Sequence, residues 1–183
     1  MKILNKPMLA LSCALLLGAP LAAQQHDPLN DVESDQLREA ALEPYKRLKL
    51  MIKFASERLD TVEATLKDQQ AKGRGQRVHD SLQDFRELVD ELDDNIDDYS
   101  QKQADMRKVL SEVVSAEEGF DKRLKAIGER GNDPKLAEEY KQYSFALQDA
   151  TEAVDLSLED TKKTLDEQNA TLGKSTDKDK NKK

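Results

Sequence analysis

The sequence predicts an all-α protein, an elongated antiparallel three-helix bundle or coiled coil around one central helix of about 50 residues. Three observations lead there. An apolar seam runs through Val78, Leu82, Phe85, Val89, Leu92, Ile96, Tyr99, Gln103, Met106, Leu110, Val113, Glu117, Phe120, Leu124 and Ile127 in alternating steps of four and three, without proline and broken only by Gln103 and Glu117. A repeat of this kind belongs to one long helix facing other helices, roughly 75 Å from end to end. Charged residues make up 36% of the 183 residues and aromatics 4%, with no Trp, which suits narrow apolar seams better than the large core of an α/β enzyme. Finally, the seam is bounded by Lys72-Gly73-Arg74-Gly75-Gln76 and by Gly128 to Pro134, both with turn chemistry.

The first 23 residues read differently. Lys2 and Lys6 precede the apolar run Met8–Leu17, then Gly18, Ala19 and Pro20, then Ala22-Ala23 ahead of a polar stretch. This is the layout of a secretory signal peptide cut after Ala23. The run is short for a membrane span, so no stable membrane insertion is expected after cleavage. Cleavage would remove Cys13, the only cysteine, and two lysines, taking the formal charge from −8 to −10. Thiolate chemistry and disulfides are thereby excluded for the exported form. An acidic chain without broad basic patches is also a poor fit to nucleic acid.

Residues 24–33 form a flexible leader, with Asp31 or Ser34 as a helix cap. The first helix spans about 34–71 on a seam of Leu37, Ala41, Tyr45, Leu48, Ile52, Ala55, Leu59, Val62 and Leu66. Pro44 within it predicts a kink near Ala41–Glu43 or a new helix at Pro44. The central helix occupies 77–128. The third, 134–172, opens with Asp133 as cap and Pro134 at the first turn, carries Leu136, Tyr140, Tyr143, Leu147, Ala150, Val154, Leu158, Thr161 and Leu165, and has a local stutter between Val154 and Leu158. Residues 173–183 are a Lys-rich tail with no apolar side chain, expected to be disordered. Folding the outer helices back about the two turns sets Leu59 against Val89, Leu37 and Val154 against Leu110, and Leu136 against Ile127, with a polar layer of Tyr45, Gln103 and Thr161.

Two charged stretches invite a functional reading. Asp90, Glu91, Asp93, Asp94, Asp97 and Asp98 form the densest acidic cluster. It could bind a cation, but the loop spacing and central Gly of an EF-hand are missing, and rigid helix positions point the carboxylates outward. Lys46, Arg47, Lys49 and Lys53 interleave with Leu50 and Phe54, a basic amphipathic stretch. It either pairs with the acidic cluster inside the bundle or serves as a partner-contact stretch, and Leu50 and Phe54, off the seam, either meet the third helix or leave an exposed apolar patch that would be a binding site. His26 and His79 are too few and too far apart for a metal centre or a triad, and no nucleophile constellation stands out. The expectation is an exported, periplasmic or secreted, non-enzymatic helical protein without cofactor, metal or catalytic residue. It would act as an envelope or extracellular scaffold or adaptor, through an unknown protein partner or self-association. A periplasmic holdase-type chaperone, or cation binding through 90–98, are the alternatives.

Overall fold

The computed structural model describes residues 27–180, with side chains as far as Thr171. The expected signal peptide, the first residues of the leader and residues 181–183 lie outside the described residues. All regular structure among those residues is helical: α1 (Asp31–Glu39), α2 (Pro44–Lys67), α3 (Arg74–Gln101), α4 (Arg107–Gly128), one 3₁₀ turn (Glu129–Asn132) and α5 (Ala137–Lys180). No described helix is long and apolar enough to cross a membrane. The backbone of α5 stays helical into the Lys-rich stretch, as far as Lys180.

Local chemistry sets most of these boundaries. α1 starts with a capping box, the Asn30 side chain accepting from the Glu33 amide at 3.0 Å and the Asn30 amide donating to the Glu33 carboxylate at 2.9 Å. The cap is therefore Asn30, one residue ahead of Asp31. Pro44 opens α2, where its missing N–H costs nothing. Gly73 enters α3 in the left-handed conformation, at φ 63°.

The expected central helix of about 50 residues is two helices. It ends at Gln101 in a Schellman motif: the Gln103 amide donates to the Ser100 carbonyl at 2.9 Å and the Ala104 amide to the Tyr99 carbonyl at 3.0 Å. Gln103 takes the left-handed position, φ 58°, that glycine usually fills. The Gln168 side chain, from α5, clamps the turn by accepting from the Met106 amide at 2.9 Å and donating to the Ala104 carbonyl at 3.0 Å. Truncating it strands both backbone groups beside the buried Met106, so Gln168→Ala should cost about 1–3 kcal/mol, read from the urea midpoint.

Folding at 102–106 turns three helices into a four-helix bundle with α1 laid on its outside. α2 runs antiparallel to α3, with Arg47 reaching Asn95 at 2.6 Å and Glu91 at 3.2 Å. α4 runs antiparallel to α5, with Glu117 meeting Ser157 and Met106 meeting Gln168. The two hairpins then dock with α2 parallel to α4 and α3 parallel to α5: Lys49 pairs with Glu112 and Arg123 with Asp60 and Glu63, while Arg74 pairs with Glu139 and Asp93 meets Ser157. α3 and α4 are not side-by-side neighbours. They sit across the diagonal, where the Phe85 and Phe120 rings meet edge to face at 5.3 Å.

The gain from the fold-back is burial. A three-helix rod with two-helix ends leaves one flank of each seam wet, whereas here Leu82, Phe85, Leu88, Val89 and Leu92 of α3 are all buried between two neighbours. The register changes accordingly. Leu147 lies against Gly128 where the sequence placed Leu136 opposite Ile127, because residues 129–136 rise past the end of α4 before α5 returns. Of the expected polar layer only Thr161 is interior; Gln103 is exposed in the turn, and Tyr45 is at the surface donating to Glu112 at 2.7 Å.

A buried carboxyl–hydroxyl cluster and an acid-framed apolar face

The basic stretch of α2 is paired within the chain. Arg47 is half-buried and binds the Leu37 carbonyl at 2.6 Å as well as Asn95 and Glu91. Lys46, Lys49 and Lys53 remain exposed and pair with Glu43, Glu112 and Glu57 rather than with the acidic cluster. Leu50 is half-buried against the core. Phe54 is a core residue, 1% exposed, and not part of an open patch. The cause is α1, which folds back along α2 instead of continuing it, so that Val32, Glu33 and Gln36 come to Phe54. Arg58 fastens α1 there, bonding Glu33 through two nitrogens (3.1 and 2.5 Å) and the Pro28 carbonyl at 2.7 Å. Burial alone would raise the Glu33 pKa, but the Arg58 bond and the Asn30 amide overcome it and hold the carboxyl below its usual value.

The acidic cluster divides. Asp90, Asp94, Asp97 and Asp98 are exposed, Glu91 pairs with Arg47, and Asp93 turns inward. Among the described residues no group of three His, Cys, Asp or Glu side chains converges as a metal site.

Asp93 belongs to a cluster the sequence reading did not assemble. Ser157 Oγ lies 2.5 Å from Asp93 Oδ1 and 2.5 Å from Glu117 Oε1, and Thr161 donates to the same Glu117 oxygen at 3.3 Å. Glu117, Ser157 and Thr161 are fully buried, and Glu117 Oε2 has no hydrogen-bond partner. A hydroxyl has one proton to donate, so two such short contacts require a proton on one of the carboxyls. Burial is the main force here, pushing Glu117 up to about 7 and Asp93 up to about 6. The Ser157 bond pulls both back in part, while Asp160, Asp90 and Asp97 press Asp93 upward and Lys162 moderates Glu117. Asp93 is only partly buried, so Ser157 links the interior carboxyl to one that meets solvent. The available signals were Glu117 interrupting a seam, and Ser157 and Thr161 four residues apart on the inner face of α5.

A second feature lies on the outside of α5. Phe145 is 77% and Leu156 58% exposed. Eleven residues separate them, three helical turns, which sets both on one line facing away from the buried Val154, roughly 16 Å apart. Asp149, Glu152, Asp155, Glu159 and Asp160 flank that line, all exposed, and α5 carries no Lys or Arg between Lys141 and Lys162. Beside the line an open groove of about 720 Å³ runs to the C-terminal half of α4, floored by Leu124, Gly128, Tyr140 and Leu147 and rimmed by Lys125 and Glu152. Both apolar residues lie off the α5 seam, which is where a search for them would have had to look. No protein-family model matches this chain, and no curated protein or solved structure matches it either.

Proposed function

We propose that the protein is an exported, non-enzymatic helical bundle that acts by holding another protein along the outer face of α5, and that the segment held is a basic amphipathic helix. The observation carrying this reading is the aligned exposure of Phe145 and Leu156 beside the α4–α5 groove. Single exposed apolar residues are ordinary. Two that share a helix face and border an apolar trough make a receiver for the nonpolar stripe of a second helix. The five flanking acids give the sign of the partner, since Lys or Arg on the edges of the incoming helix would find a carboxylate on either side of the line. The export signal at residues 1–23 and the absence of a catalytic pattern in the sequence support the same reading.

The test is fluorescence anisotropy with three labelled synthetic peptides: a Leu/Lys amphipathic helix, its Leu/Glu counterpart and a scrambled Leu/Lys sequence. The Leu/Lys helix should bind and weaken with added salt, and Phe145→Ser with Leu156→Ser should reduce its affinity at least tenfold, since each such side chain contributes about 1.5–3 kcal/mol when buried. Equal binding of the scrambled peptide would reduce the effect to diffuse charge attraction and overturn the reading. Equal binding of the Leu/Glu helix would leave the face and remove the basic partner.

A further inference from the structure

We infer that the 102–106 turn is an exchange hinge, and that a second copy of this chain can supply the hairpin that now folds back, giving a two-fold dimer in which α3 and α4 are one continuous helix. The turn, Lys-Gln-Ala-Asp-Met, has neither Gly nor Pro, and Lys, Gln, Ala and Met are all good helix formers. What closes it is Gln103, the one described non-glycine residue with positive φ, in a conformation an L side chain adopts reluctantly. Straightened, the segment keeps its seam in phase: Ile96, Tyr99, Gln103, Met106 and Leu110 stay on one stripe at steps of three and four, and all but Gln103 are buried already. The backbone loses nothing, because the Met106 amide and Ala104 carbonyl, now held by Gln168, would enter the ordinary helical ladder.

The rest of the bundle permits the exchange. The α2–α3 and α4–α5 hairpins are joined only through this turn, and α3 and α4 do not pack side by side. Every contact between hairpins can therefore be remade between copies: Phe85 with Phe120, Asp93 with Ser157, Arg74 with Glu139, Arg123 with Asp60 and Glu63. The closed monomer and the exchanged dimer differ at the hinge alone, so concentration decides between them.

The full chain, refolded from denaturant at low and at high concentration, tests this by light scattering and by the distance between two spin labels. The labels go on Gln83→Cys and Lys122→Cys in a Cys13→Ser background; positions 83 and 122 are exposed on α3 and α4. In the closed chain they lie across one bundle, under about 25 Å apart, and along a continuous helix about 58 Å. Concentrated refolding, with labelled chain diluted into excess unlabelled chain so that only the pair within one copy is read, should give a dimer of unchanged helix content with the long distance. Gln103→Gly relieves the turn and weakens the straight helix, about tenfold per hinge, so with two hinges the monomer–dimer constant should move about 100-fold toward monomer. A dimer whose copies each keep the short distance internally, a dimer indifferent to Gln103→Gly, or no dimer at any concentration overturns the inference.

Discussion

Glu117→Gln raises the melting temperature at pH 8 by about 6–12 °C and leaves it nearly unchanged at pH 4. The carboxyl is fully buried, and its pKa stands at about 7 against an ordinary value of 4.5. The folded protein thus binds the Glu117 proton more tightly than the unfolded chain does. That contribution is fully present below the unfolded value of 4.5 and is lost as pH rises through about 7. Above that point the native state holds a charge that burial disfavours by on the order of 3 kcal/mol. Glutamine keeps the shape and the acceptor oxygen that Ser157 and Thr161 use and removes the charge, so the gain appears only where the wild type is ionised. Glu33 acts with the opposite sign, because its pKa is lowered and the Arg58 pair fades as pH falls. Differential scanning calorimetry of both proteins between pH 4 and 8 reads the difference directly. Equal gains at both ends of the range would show that Glu117 is not the group that titrates.

Phe85→Ala costs about 3–5 kcal/mol, and Phe120→Ala the same, because each opens a void in the middle of the bundle. The informative quantity is the cycle. The two rings touch edge to face at 5.3 Å, a contact with a coupling of about 0.5–1.5 kcal/mol. Along one unbroken helix the same residues would lie about 52 Å apart and could not couple within a monomer. Urea unfolding of the wild type, both single variants and the double variant, at constant m and dilute enough to keep the chain monomeric, decides whether the chain folds back. Additive costs would argue for the continuous helix that the seam alone suggests.

That seam shows how far the residues could be read. Pro44 and Gly73 announce themselves, since each removes conformations that every other residue retains, and helix boundaries stand at both. Gln103 does not. It occupies a seam position, favours helix, and becomes a helix stop only because closing the bundle buries more apolar surface than the left-handed turn costs. Tertiary packing decided that position, and no local pattern records it. α1 was hidden for a related reason: Leu37 is in phase with the α2 seam whether the chain runs straight or doubles back, and it takes Arg58 reaching Glu33 and Pro28, and Arg47 reaching the Leu37 carbonyl, to fix the second arrangement. The acid cluster needed three helices placed at once, Asp93 from α3, Glu117 from α4 and Ser157 from α5. Phe145 and Leu156 needed less, a helical projection of α5 to show two large apolar residues facing away from its seam.

α1 rests on a single neighbour, α2, whereas each bundle helix is held by two. Its amides will therefore exchange with solvent hydrogen on their own timescale, at an opening free energy below that of global unfolding. Each opening frees Arg58 and uncovers Leu37 and Phe54 together, beside the exposed Lys46, Lys49 and Lys53. The basic apolar patch that the α2 sequence describes thus belongs to an open minority of molecules. Hydrogen-exchange protection of α1 measures how large that minority is.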